Sequence, residues 1–169
     1  MKKLLLAESD IHETPEISHL IKRLDSMDSQ YVDMVTDDIQ RYQPFFLNVL
    51  LGYREDVTLE ELEEIMKVYF LIWEYLAPKG KLQKKIVDQA CFEGMQRNNM
   101  HMLHYSEGEP ENSKEEIYTQ EFQSLSSKSL WTAILHRFKD RTVLADMGTE
   151  SRGAILIGIL SFIQCFEKI

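Results

Sequence analysis

From Ile65 to Leu76 the chain carries only two charged residues, Lys67 and Glu74. It enters that stretch through the strongest helix-start signal it has. In Thr58-Leu59-Glu60-Glu61 the threonine hydroxyl can accept from the amide of Glu61, the Glu61 carboxylate can reach back, and Val57 and Leu62 can staple the entry. The first two turns hold Glu60, Glu61, Glu63 and Glu64, and the later turns are apolar on most sides. Such a helix begins in water and ends surrounded by neighbours. Ala77-Pro78-Lys79-Gly80 stops it. The stretch from Gly153 to Phe166 makes the same demand, being apolar except for Ser161 and Gln164. Its 14 residues span about 21 Å as a helix, short of the roughly 30 Å of a hydrocarbon core. It reads as a buried helix; its alternative is a contact with a second copy in a homodimer.

The rest of the chain follows helical spacing. Thr14 is expected to cap a helix with Pro15 at its first position, Glu16 in its first turn and Ile17, Leu20, Ile21 and Leu24 on one face. A second helix from Asp28 keeps its apolar phase through Tyr31, Val35, Ile39, Tyr42, Phe46, Val49 and Tyr53, so a kink at Pro44 is expected rather than a break. Residues 81–98 read as a basic amphipathic helix, with Leu82, Ile86, Ala90 and Phe92 or Met95 inward and Lys81, Lys84, Lys85 and Arg97 outward. The polar run 105–112 has linker composition and reads as a flexible loop. Ser113-Lys114-Glu115-Glu116 is a second capping box, and the serines of 124–129 break the following helix before Leu130, Trp131, Ile134, Leu135 and Phe138 resume the pattern. No repeat of 30–45 residues is visible. The expected fold is all-α, a single-domain bundle of five to seven helices over residues 1–169, with 58–77 and 150–167 most deeply buried.

Composition sets the compartment and the partners. With 169 residues, 44% of them hydrophobic and 28% charged, and only seven glycines and four prolines, the chain has the makeup of a soluble globular protein. Its 28 acids outnumber 19 bases, for a net charge of −9. That repels a phosphate backbone, so nucleic acid is an unfavourable partner unless Lys79, Lys81, Lys84, Lys85 and Arg97 gather on one face. The acid excess is concentrated in residues 27–77, with 11 acids against 3 bases. The opening Met-Lys-Lys-Leu-Leu-Leu-Ala is too short in its apolar run for a secretory signal. Cys91 and Cys165 lie 74 residues apart without CxxC spacing, which favours reduced thiols, small core residues and a cytoplasmic location without membrane attachment.

Catalytic signatures are missing. Glu16-Ile17-Ser18-His19 is a single Glu-x-x-His, and a carboxylate-bridged metal pair needs two. Gly148-Thr149-Glu150-Ser151-Arg152-Gly153 has the glycine spacing of a phosphate loop, but Ala154-Ile155 stand where Lys and Ser or Thr belong. What is left there is an anion-binding candidate at a helix start: Thr149, Ser151 and Arg152. The ordinary reading is that Thr149 caps and Arg152 is solvated. The densest metal-ligating set is His101 and His104, with Met100, Met102 and Cys91 nearby, against the ordinary reading of core methionines and solvated histidines. No cofactor is implied. The function expected is that of a non-enzymatic interaction or regulatory protein that binds a basic partner through an acidic helical face, Asp33, Asp37, Asp38, Glu60, Glu61, Glu63 and Glu64. The alternative is a small-molecule or metal-binding protein with a pocket lined by its many aromatics near His101 and His104.

Overall fold

The computed structural model describes residues 8–107 and 124–169, with side chains described from Thr14 to His104 and from Ser124 onward. All regular structure among these residues is helical. Eight α-helices follow one another: α1 Glu8–Asp25, α2 Ser29–Tyr42, α3 Pro44–Gly52, α4 Leu59–Leu76, α5 Gln89–Glu107, α6 Lys128–Asp140, the single turn α7 Thr142–Ala145, and α8 Thr149–Glu167. The all-α fold expected from spacing is what the chain adopts. The opening heptapeptide, residues 108–112 of the expected loop and the Ser113–Glu116 box lie outside the described residues.

The start of α4 is the capping box read from the sequence: Thr58 Oγ1 accepts from the Glu61 amide at 3.2 Å, and Glu61 Oε2 accepts from the Thr58 amide at 3.0 Å. Leu59 at this end is 82% exposed, whereas Val68 to Trp73 are at most 2% exposed. Around the buried half stand α1, α3, α6, α7 and α8. Phe46 of α3 stacks on Tyr69 at 4.5 Å and meets Phe162 of α8 edge-on at 4.9 Å, while Phe162 stacks on Phe92 of α5 at 4.3 Å. Four helices thus share one aromatic centre. Burying each such ring is worth about 1.5–3 kcal/mol, with more from the ring-to-ring geometry.

The two polar interruptions in the apolar tail have one partner. Asn99 of α5 donates through Nδ2 to Ser161 Oγ at 3.0 Å and to Gln164 Oε1 at 2.8 Å, and Ser161 Oγ donates back to the Ile157 carbonyl. A buried amide that must find these two acceptors fixes the register of α5 on α8. Gly158 is where α8 passes Tyr53, since a Cβ there would lie 2.9 Å from the Tyr53 hydroxyl.

Several expectations are corrected. The helix break at Pro44 is complete: Gln43 has φ −138° and ψ 64°, so α2 ends and α3 begins with proline at its first position. Proline disfavours helical geometry in the residue before it, and the unbroken apolar phase survives because both helices face the same core. Gln43 does not cap; its buried side chain turns away to the segment after α4. Its Nε2 donates to the carbonyls of Leu82 and Lys85, both at 2.8 Å, and its Oε1 accepts from the Val87 amide at 3.0 Å. That clamp, with Asp88 Oδ1 capping the Cys91 amide, makes residues 81–88 irregular and starts α5 at Gln89. Leu82, Val87 and Phe92 point inward, and Ile86 and Ala90 point out.

At the chain's start α1 already runs from Glu8, with Pro15 inside it. Pro15 is two turns into the helix, where it removes one backbone hydrogen bond and crowds the carbonyl four residues before it. Residues 105–107 continue α5 rather than opening a loop. Gly148, not Thr149, is the N-cap residue of α8. Gly80, at φ +83°, supplies the left-handed turn that ends the short 3₁₀ extension of α4.

Replacing Gln43 by Ala orphans a buried amide and two carbonyls, and the expected loss is about 2–3 kcal/mol in urea unfolding. Gln43→Glu keeps the acceptor for Val87 but sets a carboxylate against two carbonyls. It should lose at least as much, with faster proteolysis within 81–88 in both variants.

Candidate functional site

The seven acidic candidates divide by what holds them. Glu61 belongs to the α4 cap. Glu64, with a side chain only 13% exposed, accepts from Lys67 at 3.3 Å and from Arg137 at 3.2 Å, and Glu63 lies 3.9 Å from Lys67. Asp33, Asp37 and Asp38 are exposed on the outer side of α2, opposite buried Val35 and Ile39, and no described residue pairs with their carboxylates. Met34 stands among them, 58% exposed. Glu60 is likewise exposed and unpaired at the start of α4.

A second charged set is not among the candidates that spacing singled out. Arg137 of α6, its side chain 6% exposed, donates to Asp25 Oδ1 of α1 at 2.6 Å and to Glu64 Oε2 of α4. Arg141 also donates to Asp25, and Lys67 approaches the same carboxylate at 4.0 Å. Three helices meet in this network. Burial alone would push the Asp25 carboxyl up, but the hydrogen bond and charge of Arg137, with the charges of Arg141 and Lys67, outweigh it and hold the group below its ordinary 3.8. The sequence signal was present: Arg137 falls three residues after Ile134 and seven after Leu130, on the apolar stripe of α6. A cation on a buried stripe requires an acid from a facing helix.

Beside this network, α1 and α6 part to form an open cleft of about 510 Å³. Ile17, Ile21 and Ala133 give it an apolar floor, Ser18, Ser129 and Thr132 add small polar positions, and Lys22, His136, Asp140 and Arg141 stand at its rim. Two residues of its wall hold buried polar atoms without a partner, Arg137 Nε and Thr132 Oγ1.

The remaining candidates separate. His101 and His104 are exposed on α5, and Cys91 lies ten residues before His101 on the same helix, about 15 Å of helical rise away. Among the described residues no group of three or more His, Cys, Asp or Glu is placed to hold a metal ion. Cys91 instead meets Cys165, sulfur to sulfur at 2.9 Å. It is exposed, not the core residue its surroundings in sequence suggested, whereas Cys165 is buried. The aromatic residues are spent as core: Phe46, Tyr69, Phe70, Trp73 and Tyr75 are at most 2% exposed. At the start of α8, Thr149 is exposed, Ser151 is half-buried, and Arg152 Nη1 donates to the Ala145 carbonyl at 2.8 Å, closing the end of α7.

No family model, curated protein or solved structure matches the chain. No described helix is long and apolar enough to cross a membrane.

Arg137→Met leaves two inward carboxylates short of a cation and should cost about 3 kcal/mol in chemical denaturation. The Asp25 contribution has a definite pH window. Because its folded value is depressed, its stabilisation is present in full above the unfolded 3.8 and is lost as pH falls from there through the folded value. Acid titration of unfolding should therefore show a steeper loss in the natural protein than in Asp25→Asn.

Proposed function

We propose that this chain is a non-enzymatic interaction protein of the cell interior that binds a basic partner through the outer face of α2. One observation carries the reading: Asp33, Asp37 and Asp38 stand exposed and unpaired around an exposed Met34. Like charges one helical turn apart, such as Asp33 and Asp37, destabilise the helix that carries them. In the same molecule Arg137, Arg141, Lys67 and Arg23 are all matched with acids, Arg23 with Glu74 at 2.5 Å. An uncompensated acidic face with an apolar centre suits a partner that brings lysines or arginines around an apolar side chain, with charge speeding encounter and the apolar contact holding the complex. Glu60 adds a further free acid, whereas Glu61, Glu63 and Glu64 serve the protein's own structure. A second copy is not required to cover α8, most of whose apolar side chains are already buried or half-buried within the chain.

The test is binding of a fluorescent Lys- and Leu-rich peptide at low and high salt. The natural protein should bind it with strong salt dependence, and Asp33→Asn/Asp37→Asn/Asp38→Asn should bind at least about tenfold more weakly at low salt. Met34→Ser should weaken binding at both salt levels. Equal affinity of natural and triple-variant protein would remove the α2 face from consideration.

The cleft between α1 and α6 favours a second reading, a small-ligand protein. It lies away from His101 and His104, lacks the aromatic lining expected there, and has a volume within the range of ligand pockets. Its apolar floor and the Lys22 ammonium at its rim suit a molecule with an apolar body and an anionic group. Anilinonaphthalene sulfonate is such a probe. Its fluorescence should rise with the natural protein and fall at least about fivefold with Ala133→Leu, which fills the floor, at unchanged helix content. An equal signal from both proteins would count against this reading.

A further inference from the structure

Cys91 and Cys165 are the one pair of thiols in the chain, and the fold brings them to 2.9 Å across 74 residues of sequence. We propose that they form a reversible thiol–disulfide site, in which exposed Cys91 attacks, and so reports on, small-molecule disulfides, and buried Cys165 resolves the adduct. Three features support the assignment. The helices that carry the cysteines are held in register independently of sulfur, by the Asn99 bonds to Ser161 and Gln164 and by the Phe92–Phe162 stack. Closing the pair into a bond of about 2.05 Å asks for less than about 1 Å of further approach, which rotation about two side chains can supply. And the two thiols differ in access, the arrangement that separates an entry thiol from a resolving one.

The chemistry balances with one oxidant, a low-molecular-weight disulfide RSSR. Cys91, as thiolate after giving its proton to water, attacks one sulfur of RSSR, forming Cys91–S–S–R and expelling RS⁻. Cys165 then loses its proton and attacks Cys91 Sγ, forming the intramolecular bond and expelling the second RS⁻. Each RS⁻ takes up one proton. Two electrons pass from the cysteine pair to RSSR, and the product is two RSH. Burial, followed by the hydrogen bond and charge of Cys91, pushes the Cys165 thiol above its ordinary value. Lys168 opposes that shift and Asp88 adds to it. The order of the two steps follows from access, since RSSR can reach exposed Cys91 but not buried Cys165.

Oxidised glutathione is the probe, with intact-protein mass read over time under native conditions. The natural protein should lose two hydrogen masses, show no lasting glutathione adduct, and recover both thiols on reduction. Cys165→Ser should stop at a stable adduct of one glutathione on Cys91. Cys91→Ser should react at least tenfold more slowly, because the remaining thiol is buried. Serine is close to cysteine in volume, and helix content before oxidation shows whether each variant folds. Thermal unfolding of the natural protein provides a readout that does not use variants: the oxidised form should melt at higher temperature than the reduced one, since a bond joining α5 to α8 closes a long loop. Retention of two free thiols in excess oxidant, or a persistent adduct on the natural protein, overturns the proposal.

Discussion

The second half of α4 has apolar side chains on nearly every side, and water is excluded from all of them only if neighbours stand all around. The arrangement of the chain follows from meeting that demand. α1, α3, α6, α7 and α8 all pack against α4. The aromatic centre built from Phe46, Tyr69, Phe92 and Phe162 ties the other buried helix, α8, into the same interior. Apolar burial decides which helices go inside but is indifferent to register, because one methylene is much like another.

Register is set by the few polar groups that were taken inside with the rest. Asn99 can satisfy its amide only where Ser161 and Gln164 come opposite it. Gln43 uses both ends of its amide on Leu82, Lys85 and Val87. Arg137 finds Asp25 on one helix and Glu64 on another. Each misplacement would strand a buried donor or charge, so each acts as a pin at one junction of the bundle.

Much of this was legible from residue spacing. The Thr58 capping box, the surface-to-interior course of α4, the burial of the tail helix and the stop at Gly80 all follow from local chemistry, and all are present. What spacing did not disclose were the places where a side chain answers to a distant segment. Residues 81–88 have helical periodicity, yet Gln43, about forty positions earlier, holds them out of a helix. Pro44 preserves the apolar phase, so periodicity alone could not separate a kink from a break. Among the acidic residues, sequence could gather seven candidates and show Glu61 in a cap, but could not tell that Glu64 was already committed to an ion network with Arg137. The free set on α2 emerges only when those commitments are known, and the meeting of Cys91 with Cys165 depends wholly on how α5 lies on α8.

The network at Asp25 also bears on the order in which the molecule can be completed. Asp25 and Arg137 are separated by 112 positions. During synthesis α1 and α4 emerge early, while the guanidinium that neutralises their shared acidic corner is still unmade. Until α6 appears, Asp25 and Glu64 have only Lys67 between them, and the inner side of α1 lacks part of its cover. The nascent N-terminal half is therefore an unfinished object rather than a small folded one, and the last third of the polypeptide acts as its keystone.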